Sequence, residues 1–346
     1  MSHLYDEIQQ QPEVIARLIR EEEHSVAAVA AELRLRPIRY ILIAARGTSD
    51  NAATYGKYVF ASILRLPVAL AAPSLYTIYD SPPCTGSNAL VIGISQSGES
   101  PDIVSVVEEA RHQGATTLAI TNELGSPLSH AAEFALPCHA GAELSVAASK
   151  TYTAQLTSLA MLAAHWSGNE ERQAQVRALP QAVRAALELA EPISHAVSRY
   201  RFMEACFVLG RGYNYATAFE IALKMKELCY LLIEAYSSAD FLHGPIAVIE
   251  RGFPVILVAP SGRVYPDMLA MAESLCQRGA ELITISDEAG ILELATTPLR
   301  LPVSVPEWLS PVVTILPGQL LAYHLTRTKG YDPDHPRGLR KVTLTR

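Results

Sequence analysis

The chain has 346 residues, of which 49% are hydrophobic and 18% charged, and its formal net charge is −7. This length suits about two domains, each with its own core, and the composition is that of an ordinary globular protein. The negative charge argues against a general attraction to nucleic acid. An anionic ligand would therefore have to be held by local hydrogen-bond donors.

The start of the chain and its cysteines indicate a cytoplasmic protein. The opening MSHLYDEIQQ is polar and acidic, unlike a secretory signal, and no apolar run approaches the roughly 20 residues that cross a bilayer. The five cysteines are scattered without a C-x-x-C pair and are Cys84, Cys138, Cys206, Cys229 and Cys276. We expect buried thiols in a reducing compartment, with neither a disulfide nor a metal site.

The order of apolar segments predicts helices first and then alternating strands and helices. Helical spacing runs through about the first forty residues, ending in SVAAVAAEL. The apolar runs 40–45 and 89–94 predict buried strands, and each leads through a polar turn into a helix. The second of these helices should run from about Pro101 to near Gly114, and ATTLAITNE predicts a further strand. This alternation is typical of a doubly wound parallel α/β sheet.

The second half of the chain repeats the first. FPVILVAPSG resembles ALVIGISQSG, and RGAELITISDE resembles QGATTLAITNE. Three pairs of landmarks are each separated by 165 positions: Arg46 and Arg211, Gly114 and Gly279, and Leu136 and Leu301. We therefore predict a duplicated α/β unit. The expected divisions are a helical segment 1–38, a first domain 39–165, a helical linker 166–200, a second domain 201–330 and a tail 331–346. A final helix is expected from about Pro317 to Gly330.

The turn ISQSGES follows a predicted strand and precedes a predicted helix. In such sheets, ligands bind beyond the carboxyl ends of the strands. Ser95, Gln96, Ser97 and Ser100 offer side-chain donors, and Gly98 allows close backbone approach. The following helix adds free N–H groups and the positive end of its dipole, so the turn is suited to a phosphate.

This turn has two other interpretations. A nucleophile elbow needs G-x-S-x-G, and here Ser97 stands where the last glycine belongs, which counts against a hydrolase. A plain βα loop with an N-cap serine would bind nothing. Thr48 and Ser49 in RGTSDN lie at the matching place after the preceding predicted strand, and two polar turns together favour a ligand. VAPSGRV, the equivalent turn in the second half, has lost most donors, so one such site per chain is expected.

The segment GRGYNYATAFEIALKMKEL is unusual for a helix that packs on a sheet. Glu220, Lys224 and Glu227 fall at i, i+4 and i+7, on one face. An exposed, salt-bridged face is the simple interpretation. A role in chemistry is the alternative. His243 ends the loop that follows, and by itself it would be taken as structural.

Six segments, in order, resemble those of the sugar isomerase (SIS) domain family. They are ARGTS, ISQSGES, SVAASKTYTAQL, GRGYNYATAFEIALKMKE, EAYSSADFLHGP and DPDHPRGLRKVTLT. The chain is similar to the isomerase half of glucosamine-6-phosphate synthase and, more closely, to type II glucosamine-6-phosphate deaminases. The resemblance implies two flavodoxin-like αβα subdomains. Val146-Ala147-Ala148-Ser149-Lys150, SSADFLHGP and AAPS are the features that favour the deaminases.

The resemblance also implies a role for each matching residue. Phosphate would bind Ser95, Gln96, Ser97 and Ser100, with Thr48 and Ser49 from the neighbouring turn. The backbone at Val146 and Ala147 would touch sugar hydroxyls. Glu227 would move the proton between C1 and C2, supported by Glu220 and Lys224. His243, reaching in from a partner subunit of a homodimer, would open the ring, and Lys341 would contact the open chain or form an imine with a ketose.

The implied reaction converts glucosamine 6-phosphate and water into fructose 6-phosphate and ammonia, and it needs no metal or redox cofactor. The chain begins about where the isomerase half of a synthase begins, so an activity that depends on glutamine is not expected. A phosphosugar isomerase or a deglycase remains an alternative, as does a non-catalytic sugar-phosphate sensor. A sensor usually carries a DNA-binding segment, and nothing in this sequence is basic enough or long enough to be one. No nucleic-acid or membrane partner is expected.

Overall fold

The computed structural model describes residues 2–341, which form two compact units. The first-repeat unit comprises Glu13–Glu143, Lys150–Ala178 and the end of the chain from Arg340. The second-repeat unit comprises the start of the chain to Pro12, Leu144–Ser149 and Leu179–Leu339. None of the helices in 2–341 combines the length and the apolar character needed to span a membrane.

The first-repeat unit is built on a five-stranded parallel sheet. Its strands are β1 (Tyr40–Ala44), β2 (Val68–Leu70), β3 (Ala89–Ile94), β4 (Thr116–Thr121) and β5 (Phe134–Pro137), in the order β2-β1-β3-β4-β5. Every residue of β3 and β4 is buried, which explains why β3 is apolar throughout and does not alternate with polar residues. The helices are α2 (Gln11–Leu35, mostly in this unit), α3 (Thr48–Leu64), α4 (Ser74–Thr77), α5 (Pro101–His112), α6 (Pro127–Ala131), α7 (Lys150–Trp166) and α8 (Glu170–Arg177).

The second-repeat unit repeats this arrangement. Its parallel strands are β6 (Ala205–Gly210), β7 (Leu232–Ser237), β8 (Pro254–Val258), β9 (Glu281–Ser286) and β10 (Thr297–Arg300), in the order β7-β6-β8-β9-β10. The α-helices are α1 (His3–Gln9), α9 (Leu179–Ala186), α10 (Ala190–Ala196), α11 (Tyr215–Cys229), α12 (Ser238–Phe241), α13 (Tyr265–Gln277), α14 (Ala289–Leu292) and α15 (Ser310–Thr328). Short 3-10 helices are Leu187–Leu189, Val197–Tyr200, Gly212–Asn214, Pro245–Val248 and Glu307–Leu309.

The predicted fold class is confirmed, because both units contain a doubly wound parallel sheet with the same strand order. The duplication extends to special backbone positions. The helices α3 and α11 both end in a left-handed residue, Arg65 in one and Tyr230 in the other, 165 positions apart. An ion pair also recurs at this spacing: Arg46 Nε lies 2.7 Å from Asp102 Oδ2, and Arg211 Nη1 lies 3.4 Å from Asp267 Oδ2.

One predicted landmark of the duplication is wrong. Cys138 N donates to Thr121 O, and Leu301 N donates to Ser286 O, both at 2.8 Å, so Leu301 is equivalent to Cys138 and not to Leu136. The spacing is 164 between β3 and β8 and 165 between β4 and β9, and it falls to 163 at the last strand because the connection before β10 is two residues shorter than that before β5. A repeated apolar pattern hides such a shift, since several leucines fit the strand equally well.

The final helix also starts earlier than predicted. Helix α15 begins at Ser310 with Pro311 in its first turn, and Pro317 is a buried interior residue. Proline at the first turn loses no helical hydrogen bond, whereas an interior proline removes one. The start was therefore predicted at the wrong proline. Almost all of α15 is buried, and this packing holds the helix together across Pro317.

The expectation that all five cysteines are buried is partly wrong. Cys138, Cys206 and Cys229 are buried, and desolvation raises the pKa of these thiols to about 12, about 12 and about 11. Cys276 is half-buried and Cys84 is exposed. Cys84 lies in the irregular segment between α4 and β3, which the apolar pattern does not assign to either element.

Candidate active site

The polar turn 95–100 lies at the carboxyl end of β3, and Thr48 begins the helix that follows β1. Strands β1 and β3 are neighbours in the sheet. From β1 the chain continues to β2 on one side, and from β3 it continues to β4 on the other side. This is the topological switch point, where open α/β sheets form a crevice for a ligand. The sheet order therefore brings together the two turns that the sequence singled out.

The hydroxyls of the turn hold its shape. Ser95 is buried, and its Oγ accepts a hydrogen bond from Gly98 N at 3.1 Å and lies 3.3 Å from Ser100 Oγ. Ser97 Oγ accepts from Glu99 N at 3.3 Å. A hydroxyl that accepts an amide hydrogen still has its own proton to donate. The same serines can therefore fold the turn and bind an anion.

Several backbone amides of the turn are open. The N–H groups of Gln96, Ser97 and Ser100 donate to no residue within the described part of the chain. Ser100 is the N-cap of α5, a helix of 12 residues, and its side chain does not cap the helix. Free N–H groups at the positive end of a helix dipole are suited to a phosphate or carboxylate ligand. We call residues 95–100 the cradle.

Gly98 is required by this shape for two reasons. Its φ is +65°, and a Cβ there would lie 2.0 Å from Ser126 Oγ. We expect Gly98→Ala to lower the free energy of unfolding by about 3 kcal/mol through overpacking and a strained backbone, and to weaken anion binding at the turn. Thermal unfolding and titration with inorganic phosphate measure both effects. Gly125→Ala, at a glycine with open space around its Cα, is the control, and equal behaviour of the two variants would contradict the account.

The neighbouring turn places its two hydroxyl residues differently. Thr48 is half-buried at the start of α3. Ser49 is buried, and its Oγ accepts from Gln155 Nε2 at 3.0 Å, so this hydroxyl faces α7. Arg46 pairs with Asp102, a fully buried carboxylate in the first turn of α5. Arg46 thus balances a negative charge two residues beyond the cradle.

In the second-repeat unit, α11 carries a line of three charged side chains. Lys224 Nζ donates to Glu227 Oε2 at 2.5 Å and lies 3.5 Å from Glu220 Oε1. The interpretation as an exposed salt-bridged face is wrong, because the side chains of Lys224 and Glu220 are 2% and 0% exposed. Buried ion pairs rarely stabilise a fold on balance, since desolvation offsets the attraction. The helix therefore carries a charge arrangement that stability alone does not explain.

Glu227 is the member of this line that reaches the surface. Its side chain is 22% exposed, and Oε1 makes no hydrogen bond to any residue in the part of the chain that the structure describes. A carboxylate fixed on one oxygen and open on the other is suited to proton transfer. The i, i+3 and i+4 spacing of α11 produces this geometry directly.

His243 lies on the surface of the second-repeat unit. Its backbone N donates to Asp240 O at 3.0 Å, and the residue is exposed. Across residues 2–341, no side chain pairs with its imidazole. Leu242 and Val248 beside it are 57% and 54% exposed. His243 therefore belongs to an exposed segment with apolar neighbours and is not a satisfied core histidine.

The loop 144–149, which contains Val146 and Ala147, is held by a residue that the sequence did not single out. Glu7 on α1 is 4% exposed, and its carboxylate accepts hydrogen bonds from Leu144 N, Ser145 N and the Ser145 hydroxyl. Ser145 Oγ also lies 2.9 Å from Ala147 O. The N-terminal helix thus fixes the backbone that was predicted to touch the sugar.

Lys341 also has a partner that the sequence did not indicate. Its Nζ donates to Glu143 Oε2 at 2.7 Å, within the first-repeat unit. The Glu143 side chain is fully buried and also accepts from Thr151 N at 3.1 Å and Thr151 Oγ1 at 2.8 Å. Single acids outside a motif are common in any sequence, which is why Glu143 and Glu7 carried no signal.

Each unit therefore assembles part of the predicted set. The first-repeat unit brings together the turns that contain Thr48, Ser95 and Ser100, and it places Lys341 on Glu143. The second-repeat unit joins Glu220, Lys224 and Glu227 and contains Val146, Ala147 and His243. The first-repeat unit thus has a donor-rich turn at a sheet switch point, and the second-repeat unit has an oriented carboxylate, on a fold of the doubly wound α/β class.

Comparisons with known proteins define the family. The SIS domain profile matches residues 34–165 and 204–328. The chain is 37% identical over 340 residues to the glutamine–fructose-6-phosphate aminotransferase (isomerizing) of Pyrococcus horikoshii, covering 97% of this chain and 56% of that protein. The chain thus spans about half the length of the curated relatives it matches.

Solved structures agree with this assignment. A putative phosphosugar isomerase from Silicibacter pomeroyi has a TM-score of 0.87 at 34% identity, with 96% of this chain and 100% of that chain covered. The C-terminal domain of the aminotransferase from Francisella tularensis has a TM-score of 0.86 at 27% identity, with 97% and 98% covered. The chain belongs to the SIS domain family and is related to the isomerase half of the aminotransferases.

Proposed function

We propose that this chain is an amino-sugar phosphate deaminase that converts glucosamine 6-phosphate and water into fructose 6-phosphate and ammonia. The observation that carries the proposal is the buried Lys224, which holds one oxygen of Glu227 and leaves the other open. The open amides of Gln96, Ser97 and Ser100 support binding of the 6-phosphate at the cradle. The reaction requires an anchor remote from the reacting carbons, which the cradle would provide, and a group that carries a proton, which Glu227 would provide.

The proposed reaction proceeds in three balanced steps. Opening of the ring gives an aldehyde at C1 and leaves the amine on C2. Glu227 removes the proton from C2 and returns it to C1, while the carbonyl oxygen at C1 gains a proton and the amine nitrogen on C2 loses one. This leaves a hydroxymethyl group at C1 and an imine at C2. Water adds to the imine carbon and ammonia leaves. The product is the ketose, fructose 6-phosphate.

Lys341 is proposed to stabilise the negative charge that develops on the oxygen of the open chain. Its ammonium group is paired with the buried Glu143 carboxylate, so it approaches the substrate as a cation. A charged donor aimed at a developing oxyanion lowers the barrier to enolisation. An imine with a ketose is the alternative role, and it requires the ion pair with Glu143 to break.

His243 is proposed to open the sugar ring in the active site of a partner subunit. Histidine exchanges protons near neutral pH, which suits a ring-opening catalyst. The exposed imidazole and its exposed apolar neighbours Leu242 and Val248 support a place at a dimer interface. The protein would then be a homodimer in which each active site takes one histidine from the other chain.

Mixing two inactive variants tests this arrangement. Glu227→Gln and His243→Ala, each nearly inactive alone, should recover partial ammonia release after co-refolding, because some sites then combine an intact Glu227 with an intact His243. About a quarter of wild-type activity is the upper limit for random mixing of two variants. Co-refolding of either variant with itself is the control. The absence of recovery in confirmed mixed dimers would show that both residues act within one chain.

An assay against a small panel of sugar phosphates separates this proposal from its alternative. Glucosamine 6-phosphate should release ammonia in the same amount as fructose 6-phosphate forms. The alternative is an aldose–ketose phosphosugar isomerase, which the solved phosphosugar isomerase at 34% identity favours. That activity would interconvert glucose 6-phosphate and fructose 6-phosphate and leave glucosamine 6-phosphate unchanged. This result would overturn the deaminase proposal.

A further inference from the structure

The second-repeat unit contains a turn equivalent to the cradle, and it is filled by the protein's own acids. This turn, 260–264, follows β8 and precedes α13, as the cradle follows β3 and precedes α5. Asp287 Oδ1 accepts from Ser261 N at 2.7 Å, and Oδ2 accepts from the Ser261 hydroxyl at 2.6 Å. Glu307 Oε1 accepts from Val264 N at 3.2 Å.

Glu307 packs directly against the turn. A Cβ at Gly262 would lie 2.4 Å from Glu307 Cδ, so the carboxyl group touches the backbone there. The α13 helix has 13 residues and no side-chain cap of its own at Val264. Two carboxylates therefore sit where the first half of the chain presents free donors. They satisfy the amides that a bound anion would otherwise take.

The first half has a neutral residue, Asn122, where the second half has the acid Asp287. Strand register aligns β8 with β3, which makes Ser261 equivalent to Ser97, and it aligns β9 with β4, which makes Asp287 equivalent to Asn122. Asn122 turns away from the cradle, because its Oδ1 accepts from Ala140 N at 2.9 Å and its Nδ2 donates to Gly141 O at 3.0 Å. Within the described residues, Ser97 N–H is left without an acceptor. Because Asn122 is neutral and bonds elsewhere, the backbone amide of the cradle has no carboxylate partner.

We infer that Asp287 and Glu307 occupy the anion position of the second half and thereby confine phosphate binding to the first half. Because of these two residues, each chain binds one sugar phosphate although it contains two similar turns. The inference rests on the proposed phosphate site for its biological meaning, but the structural contacts that support it lie entirely within the second-repeat unit. Like charge excludes a phosphate from a site that carboxylates already fill.

The test counts bound inorganic phosphate by isothermal titration calorimetry and ³¹P NMR on the full chain. The wild type should bind one phosphate per chain. Asp287→Asn combined with Glu307→Ala should bind two, because Asn is the residue of the first half and both carboxylates are gone. The control Glu250→Ala with Glu293→Ala removes two exposed acids of the same unit and should still bind one.

A folded Asp287→Asn/Glu307→Ala protein that gains no phosphate overturns the inference. If circular dichroism shows that this variant does not fold, the single variant Asn122→Asp tests the inference instead. This change should weaken phosphate binding at the cradle at least tenfold, since the new carboxylate can accept from the Ser97 amide as Asp287 accepts from that of Ser261. Unchanged binding would overturn the inference. A wild type that binds no phosphate would count against the proposed function, while the gain or absence of one phosphate in the double variant still tests this inference.

Discussion

Glu227→Gln is expected to lower kcat for ammonia release from glucosamine 6-phosphate by about 10²–10⁴-fold, with KM little changed. The amide keeps the shape of the side chain but cannot accept the C2 proton and return it to C1. Binding should persist, because the cradle belongs to the other repeat and does not involve Glu227. A coupled assay for ammonia and a separate titration with the sugar phosphate measure the two effects.

The control for this change is Glu188→Gln, which alters an exposed glutamate of the same unit and should leave both constants at their wild-type values. Exchange of solvent deuterium into C1 of the product gives a second reading, since it depends on the same proton transfer. Wild-type ammonia release by a folded Glu227→Gln protein would show that another group moves the proton.

Lys224→Met is expected to lower the free energy of unfolding by about 3–5 kcal/mol and to reduce activity. The Glu220 carboxylate is fully buried and would lose its neighbouring cation, while Glu227 would lose the donor that orients it. Breaking a buried charge arrangement by removing one partner leaves an uncompensated charge, which costs far more than an exposed pair. Denaturant unfolding of the variant beside Lys226→Met, at an exposed lysine of the same helix, measures the effect.

A double variant separates stability from catalysis. Glu220→Gln with Lys224→Met removes both buried charges and should regain most of the lost stability. It should not regain activity, because Glu227 still lacks the hydrogen bond from Lys224 Nζ. A single Lys224→Met variant as stable as the wild type would contradict the account of this helix. Full activity in the stable double variant would show that Glu227 does not depend on Lys224.

The tail up to residue 337 is anchored within the second-repeat unit. The Arg337 guanidinium carbon lies 3.8 Å from the centroid of the Tyr230 ring, and Arg337 N donates to Tyr230 OH at 2.9 Å. Asp334 accepts from His3 N at 3.0 Å and Leu4 N at 2.9 Å, which satisfies the start of α1. The tail is therefore fixed at the end of the helix that carries Glu227 and at the helix that carries Glu7. These contacts hold the tail in a defined path up to residue 337.

Local sequence patterns were enough to predict the buried central strands, the duplication and the position of the turn 95–100 between a strand and a helix. Buried strands such as β3 show as continuous apolar runs, and the turn that follows shows as a cluster of serines with a glycine, so local chemistry was enough. The charged line on α11 was also visible, because helical spacing alone sets which residues share a face. The burial of this line could not be predicted, since charged residues at i and i+4 have the same spacing on an exposed helix and on a buried one.

Only the tertiary structure decided the partners of the acids. Glu7 holds Ser145, Glu143 holds Lys341 and Asp287 holds Ser261, and the members of each pair are far apart along the chain. Periodicity describes which side of an element faces inward, but it carries no information about which distant backbone amide a carboxylate will meet. The two-residue shift at β10 was not predicted for the same reason. Register depends on hydrogen bonds between strands and not on the apolar pattern within one strand.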